Sequence, residues 1–288
     1  MGRFEVVAWV VVAAVALGIR LINLDGAPLQ PGESVLALDS WQILHHAGIQ
    51  IASAPLLIYL NTLLFLILGS SDAVARALPC LVGVAVALSP ILVRHHLGRT
   101  GALVAATVLA TSPTLIFASR TVDPTIVTIG LGLGLVLAAE RYSRRRRQAY
   151  LIAGAVLVGL LLVSGPLAYD LVIILVSFVA VYGSEDLRSA WVSARAEPGA
   201  LEGNAEWAND VAAEEAGARS SPSLSRIFIL LAATVVLVGT ALGTNLEGMG
   251  LSLSAPLGAW AAALSGIDSH RAWLFPALLV GYEPAALL

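Results

Sequence analysis

Long apolar segments separated by short polar stretches dominate the pattern along this chain. A helix that crosses a bilayer needs about 20 predominantly apolar residues, with a lower limit near 17. Most segments approach that length, but 55–69 is shorter and either crosses the bilayer or lies along its interface. The pattern predicts an all-α, polytopic fold of about eight transmembrane helices, with interfacial helices at about 34–46 and 55–69. The apolar segments are 4–22, 55–69, 74–93, 100–118, 124–139, 149–164, 167–183, 227–243 and 273–288.

Composition makes the lipid bilayer the first expected partner of the chain. Of the 288 residues, 58% are hydrophobic and 12% are charged, whereas a soluble globular protein has about 25% charged residues. The net charge of -3 argues against nucleic acid as a partner. Cys80 is the single cysteine, so no internal disulfide can form. The first apolar segment continues to Ile22 without a polar break, which favours an uncleaved anchor over a signal peptide.

Arginine placement predicts the orientation, because cytoplasmic loops have the positive excess. If the N-terminus is cytoplasmic and 55–69 does not cross, 12 of the 16 basic residues, all of them Arg, lie inside. If 55–69 does cross, the same rule requires an outer N-terminus, and the shortness of this segment favours the first alternative. The first topology predicts a multi-pass protein of the plasma membrane. Its outer face holds Arg20, Arg76, Arg120 and Arg271.

Three regions follow from this topology. Residues 1–183 form a transmembrane core, which includes a large outer loop at 23–73. Residues 184–226 are polar and rich in Ala, Glu and Ser, so we expect a flexible cytoplasmic loop. Residues 227–288 supply further transmembrane segments, of which the last is barely long enough to cross.

Ionisable residues near membrane depth are costly and often mark a function. Under the predicted topology a group of them lies at the outer face: Glu33, Asp39, Arg76, Arg120 and Asp123. A carboxylate can act as a general base toward a hydroxyl group. An arginine can bind a phosphate through two parallel hydrogen bonds. Together these residues indicate transfer of a group from a lipid phosphate at the membrane surface.

Each of these residues also has a structural interpretation. Glu33 can be the first-turn acid that a helix dipole favours, and Asp39 can lie on the solvated face of the same helix. Asp123 can cap the next helix. Arg20 and Arg76 can extend from span ends toward the interface.

Two further patterns indicate structure rather than chemistry. His45-His46 and His95-His96 are adjacent pairs, and adjacent residues on a helix do not face one ligand, so no metal ligands are predicted. The "GLGLGL" stretch at 130–135 lies inside a span, which favours close helix packing over a nucleotide-binding loop.

The order of motifs resembles the polytopic GT-C glycosyltransferases. A first span is followed by "PGESVLALDSW", then by "PLLIYLNTLLFLILGSSDAVARALP", and then by "TSPTLIFASRTVDPTI". The chain is most similar to the family-39-like group, which includes protein O-mannosyltransferases, the lipid A aminoarabinose transferase and flippase-associated prokaryotic relatives. The resemblance covers about residues 5–165. Family members are usually longer, so this chain resembles a short or truncated version.

The resemblance implies a polyprenyl-phosphate sugar donor, a protein or glycolipid acceptor, and an active site on the non-cytoplasmic face. It also implies an Asp-Glu pair in the first outer loop, with the Asp as catalytic base. Here the pair reads Gly32-Glu33, so Glu33 is predicted to act as the base, and Asp123 matches the acid of the second loop. Asp123 would position the acceptor or a divalent cation. The residues predicted to bind substrate are Arg76, Arg120 and Asp39.

Three functions remain open at this point. The leading hypothesis is a membrane glycosyltransferase that moves a sugar from a polyprenyl phosphate to an acceptor hydroxyl. The second is a catalytically inactive relative that binds polyprenyl-linked glycans or helps to flip them, which the missing Asp at position 32 suggests. The third is a transporter or structural subunit, for which no paired broken helices or inverted repeat is evident.

Overall fold

The apolar segments form helices throughout the part of the chain that the structure describes. The computed structural model describes residues 3–45, 54–145, 147–177 and 224–240, and these residues contain no β-strand. The prediction of an all-α fold is therefore confirmed for this part. The helices are α1 (Arg3–Leu21), α2 (Pro31–Leu44), α3 (Pro55–Leu68), α4 (Asp72–Leu88), α5 (Arg94–Thr111), α6 (Pro113–Arg120), α7 (Thr125–Arg145), α8 (Gln148–Leu162), α9 (Leu167–Ser177) and α10 (Leu224–Gly239).

Proline and serine residues determine where several of these helices begin. Pro31, Pro55 and Pro113 occupy first-turn positions, where the missing N–H has no helical partner to lose. Ser71 and Ser112 are N-caps whose hydroxyl oxygens accept hydrogen bonds from backbone amides inside α4 and α6. These two caps fix where α4 and α6 begin.

The structure divides one predicted span. The segment 100–118 was expected to be continuous, but Ser112 leaves the helical conformation with ψ 119° and separates α5 from α6. The capping preference of Ser112 and the proline that follows it explain this break. The predicted loop at 94–99 is also helical at its start, because α5 begins at Arg94 and is interrupted at Gly98, where φ is 74°.

The count of about eight spans is not confirmed. Three helical runs in the described residues are long and apolar enough to cross a membrane: Phe4–Leu21, Asp72–Thr111 and Thr125–Arg145. The second run contains α4 and α5 together, joined by a 3-10 turn at Ser89–Val93. Helices α3, α8, α9 and α10 are shorter within the described ranges. The predicted segment 273–288 and most of 184–226 lie outside the described residues.

Contacts at the two ends of α1 fix the directions of its neighbours. Near its start, Glu5 lies 3.5 Å from Arg94 at the beginning of α5. Near its end, Arg20 donates to the carbonyl of Ala110, close to the end of α5. Helices α1 and α5 therefore run parallel, and α4 runs antiparallel to both. Ala16, Ala87 and Ala110 pack together between the three helices, and their small side chains allow close approach.

The described arginines lie in two groups, one at each end of this bundle. Arg20, Arg76 and Arg120 lie at the end where α1 finishes and α4 begins. Arg94 and Arg144 lie at the other end. Helix α3 lies toward the first of these ends, where the amide of Leu56 donates to the carbonyl of Val163. The residues that sequence places at the outer face are thus gathered at one end.

Candidate functional site

Glu33 lies in the first turn of α2 and is almost completely buried. Its Oε2 accepts a hydrogen bond of 2.8 Å from the backbone amide of Gln30, the residue just before the helix. An acid at this position satisfies one of the amides that a helix start leaves unpaired, and it interacts favourably with the helix dipole. The local sequence therefore favours Glu33 in this place before any partner from another helix is considered.

The partner from another helix is Arg76, in α4. Arg76 Nη2 donates to Glu33 Oε2 at 2.8 Å, and Arg76 Nε donates to Glu33 Oε1 at 3.2 Å. Both side chains are about nine-tenths or more buried, at 7% and 6% exposure. Two parallel bonds between a guanidinium and a carboxylate form the geometry that gives the strongest pairs. A buried pair of this kind is costly to break, because either partner alone is an uncompensated charge.

The remaining donors of Arg76 bind the linker between α1 and α2. Nη1 donates to the carbonyls of Leu24 and Ala27 at 2.8 Å each, and Nη2 donates to the carbonyl of Pro28 at 3.2 Å. A guanidinium has five N–H donors, so all five of them are used. Arg76 therefore has no free donor for a ligand while this arrangement persists.

The Glu33 carboxylate is equally occupied. Its Oε1 accepts a fourth hydrogen bond, of 2.8 Å, from the backbone amide of Val122. Burial on its own would raise the pKa of Glu33, but the hydrogen bonds from Arg76, Gln30 and Val122 outweigh it and lower that pKa. A carboxylate with a lowered pKa and four donors is a weak base. Its contacts instead connect α2, α4 and the loop that precedes α7.

Asp123 follows Val122 directly and is half-buried. Its Oδ1 accepts a hydrogen bond of 2.8 Å from the amide of Thr125, so it caps the start of α7 as the sequence suggested. Its Oδ2 receives no hydrogen bond from the described residues. One carboxylate oxygen of Asp123 is therefore available to a ligand.

Arg120 lies at the end of α6 and is half-buried. Its Nη1 donates to the carbonyls of Ile19 and Ile22 at 2.6 and 3.0 Å, and its Nη2 donates to the carbonyl of Asn23 at 3.1 Å. These bonds account for three of its five donors. The Nε–H and one Nη2–H have no partner among the described residues, and this pair of donors can bind a phosphate bidentately.

A cleft of about 480 Å³ opens beside these side chains. It lies between the α1–α2 linker, the start of α4 and helix α6. Glu33, Arg76 and Arg120 contribute charged groups to its wall, and Phe117 and Ile116 contribute apolar ones. A small number of polar groups in a mostly apolar wall is typical of a ligand site. The full lining is Asn23, Leu24, Ala27, Pro28, Gln30, Glu33, Arg76, Pro113, Ile116, Phe117, Arg120 and Thr121.

Asp39, which the sequence predicts to bind substrate, is not part of the cleft wall. It is half-buried in α2, six residues after Glu33. Burial raises the pKa of its carboxyl group. The structure thus brings Glu33, Arg76 and Arg120 together at one cleft and places Asp39 elsewhere on α2. Asp123 does not line the cleft either, and it lies two residues after the lining residue Thr121. Among the described residues, the one group of three possible metal ligands lies at the opposite end of the bundle, so Asp123 gains no further ligand for a divalent cation here.

The position of the Arg20 side chain, at the same end of the bundle as the cleft, differs from the prediction. It was expected to extend toward the interface, but its side chain is completely buried. Nη1 donates to the carbonyls of Ala16 and Ala110, and Nη2 donates to that of Leu109, while Nε has no partner in the described part of the chain. Periodicity places Arg20 near a span end, but only the packing of α5 against α1 reveals its partners.

Comparison with known proteins supports a family assignment. The model of the dolichyl-phosphate-mannose-protein mannosyltransferase family matches residues 52–196, half of the chain. The matched range contains Arg76, Arg120 and Asp123, and Glu33 precedes it. No curated protein and no solved structure matches the chain. Together with its apolar helices, the match shows that this chain is a membrane protein that belongs to the dolichyl-phosphate-mannose-protein mannosyltransferase family.

Proposed function

We propose that this protein transfers a sugar from a polyprenyl-phosphate donor to an acceptor hydroxyl at the non-cytoplasmic face of the plasma membrane. In this reaction the bond between the sugar C1 and the phosphate oxygen breaks, and a bond from C1 to the acceptor oxygen forms. The acceptor proton leaves, and the polyprenyl phosphate departs with its negative charge. The protein must therefore supply a cation for the phosphate and a base for the proton.

The proposal depends most on the unpaired donors of Arg120. Of the two arginines in the cleft wall, Arg76 has all five donors engaged, whereas Arg120 keeps two unpaired. A departing phosphate needs a cation that can donate two hydrogen bonds, and these two donors can supply them. A positive charge held by the protein near low-dielectric lipid stabilises such a developing charge more than the same charge in water. Arg120 is accordingly the phosphate-binding residue of the proposal.

Asp123 is the carboxylate that accepts the acceptor proton. It has one unpaired oxygen, it is half-buried, and it lies three residues after Arg120. Glu33, by contrast, positions the site. Its hydrogen bond from the Val122 amide fixes the segment that contains Arg120 and Asp123. Its pair with Arg76 fixes the α1–α2 linker, which forms the other wall of the cleft, because Arg76 also binds the linker carbonyls.

The arginine distribution supports the orientation. The cleft end contains three described arginines whose side chains bind backbone carbonyls or Glu33. The other end contains Arg94, Arg99, Arg141, Arg144 and Arg145. The positive excess favours the cytoplasm for the second end, which leaves the cleft on the outer side.

Donor binding and transfer, measured together, test this proposal. The full-length chain is placed in proteoliposomes with a labelled polyprenyl-phosphate mannose. We expect Arg120→Lys to weaken donor binding about ten- to hundredfold, because a lysine cannot replace the bidentate contact. Arg94→Lys, at the other end of the bundle, is the matched control and should bind donor normally. Equal donor binding by both variants would contradict the assignment of Arg120.

A second function is favoured by one observation. Gly32 stands where the resemblance implies a catalytic Asp, and the neighbouring Glu33 is saturated with hydrogen bonds. An inactive relative that binds polyprenyl-linked glycans, or helps to flip them, would keep Arg120 and need no base. Donor binding without any transfer, across several sugar donors and acceptors, would establish this alternative.

A further inference from the structure

The start of α5 and the last third of α7 bring three possible metal ligands together. His95 Nε2 lies 3.0 Å from Glu140 Oε1, and His96 Nε2 lies 3.2 Å from the same oxygen. The three ligand atoms all lie within 4.8 Å of one another. The sequence predicts that adjacent histidines do not face one ligand, but here the two rings lie beside each other, with centroids 4.2 Å apart, and the Nε2 atoms of both reach Glu140 Oε1. This cluster is at the opposite end of the bundle from the cleft.

Two of the three separations between these atoms match a metal coordination shell, and the third, between the two histidine nitrogens, lies within 4.8 Å. A tetrahedral zinc site has bonds of about 2.0–2.2 Å to imidazole nitrogen and carboxylate oxygen, which places neighbouring ligand atoms about 3.3 Å apart. The two measured nitrogen–oxygen distances are within a few tenths of an ångström of that value. The ligands also come from two different helices, so an ion between them would join α5 to α7.

The hydrogen bonds within the cluster conflict with one another. Three nitrogens, from His95, His96 and Arg144, lie 2.6 to 3.2 Å from the single oxygen Glu140 Oε1. His96 Nε2 also lies 2.7 Å from Arg144 Nη2, which can only donate. Nε2 must then accept from Arg144 and has no proton for Glu140. A divalent ion would remove the conflict, because both imidazole lone pairs and the carboxylate would then point at one cation.

We infer that His95, His96 and Glu140 form a binding site for a divalent transition metal of the zinc type, and that Arg144 competes with the ion for it. Imidazole and carboxylate are the ligands that such ions prefer. The side chains of His95 and His96 are 38% and 53% exposed, so an ion can reach them from solvent. Arg144 is 49% exposed, and an exposed ion pair is weak because water screens it, so its displacement is not prohibitive.

Metal titration of the intact protein tests this inference. The full-length chain is purified in detergent without a polyhistidine tag and titrated with Zn²⁺ by calorimetry and with Co²⁺ by visible absorption. We expect one ion per chain and a tetrahedral Co²⁺ spectrum. Glu140→Gln and His96→Ala should each weaken binding at least about tenfold. His45→Ala removes a surface histidine outside the cluster and should leave binding unchanged.

Arg144→Ala gives the sharper result, because it should tighten binding. Removal of this competing guanidinium should increase the affinity for the ion by up to about fivefold. A general loss of folding would weaken binding instead, so this variant separates the site from a structural effect. The ion should also raise the unfolding temperature of the wild type but not of Glu140→Gln. The inference is wrong if no saturable binding occurs below about 1 mM metal, if Glu140→Gln binds normally, or if Arg144→Ala does not tighten binding.

Discussion

Glu33 and Arg76 are 43 positions apart in the sequence and form a buried pair with two hydrogen bonds, of 2.8 and 3.2 Å. Through this pair the first turn of α2 is attached to α4. Arg76 also binds three carbonyls of the α1–α2 linker, and Glu33 binds the amide of Val122 before α7. The pair therefore connects every segment that forms the wall of the cleft except α6.

Loss of Arg76 should destabilise the protein strongly. Arg76→Ala leaves Glu33 buried without its cation, and breaking a buried pair in this way costs about 3–5 kcal/mol. Thermal and denaturant unfolding in detergent measure the loss. Arg94→Ala is the control, because the Arg94 side chain is 44% exposed and its contact with Glu5 is a single long one of 3.5 Å. Equal effects of the two substitutions would contradict the structural role of Arg76.

The same pair predicts a pH dependence of stability. The pKa of Glu33 is lowered in the folded state, so the folded protein binds fewer protons than the unfolded one in acid. The stabilisation is present above the ordinary glutamate pKa of about 4.3, and it is lost as the pH falls through the lower folded value. Unfolding free energies of wild type and Glu33→Gln should therefore converge toward low pH. A constant difference between them down to the acid limit would exclude this explanation.

Sequence reasoning predicted the helices better than it predicted their contacts. The apolar pattern and the prolines before it are local signals, and they predicted helices close to α2 and α3 without knowledge of the fold. They did not predict the division of 100–118 into α5 and α6. The gathering of Glu33, Arg76 and Arg120 at one end followed from the predicted topology. That Arg76 would use all its donors internally could not be predicted, because it depends on the path of the α1–α2 linker. The same holds for the burial of Arg20, which depends on the carbonyls of α5.

Position 32 tests whether the missing acid limits activity. A Cβ added at Gly32 has no atom within 4 Å, so the first atom of a side chain meets no neighbour there. Gly32→Asp should raise the rate of sugar transfer at least about tenfold, the lower part of the range for one general base. Gly32→Asn has nearly the same shape without the base and is the matched control. Both should leave stability unchanged or raise it by up to about 1 kcal/mol, since glycine is unfavourable in a helix. Equal rates in the two variants would show that an acid at this position has no part in the reaction.

Helix packing near the cleft predicts that alanine substitutions at two glycines will have different effects on stability. A Cβ at Gly83 in α4 would overlap the side chain of Ser119 in α6, whereas a Cβ at Gly101 in α5 has its nearest neighbour 3.6 Å away. Gly83→Ala should therefore destabilise the protein by about 1–3 kcal/mol through overpacking. Gly101→Ala should be neutral or slightly stabilising. Unfolding measurements on both variants check this, and a stable Gly83→Ala would mean that α4 and α6 do not approach as closely as described.

The most direct test of the proposed function is sugar transfer by the wild type and by Asp123→Asn. Full-length protein in proteoliposomes is given a labelled polyprenyl-phosphate mannose and a mixture of peptide and glycolipid acceptors, and both transfer and donor binding are measured. Asp25→Asn, which changes an exposed acid of the α1–α2 linker, serves as control. The proposal predicts transfer by the wild type and the control, and a loss of at least about a hundredfold in Asp123→Asn with donor binding retained. Donor binding with no transfer by the wild type would contradict it and would establish a binding or flipping role instead.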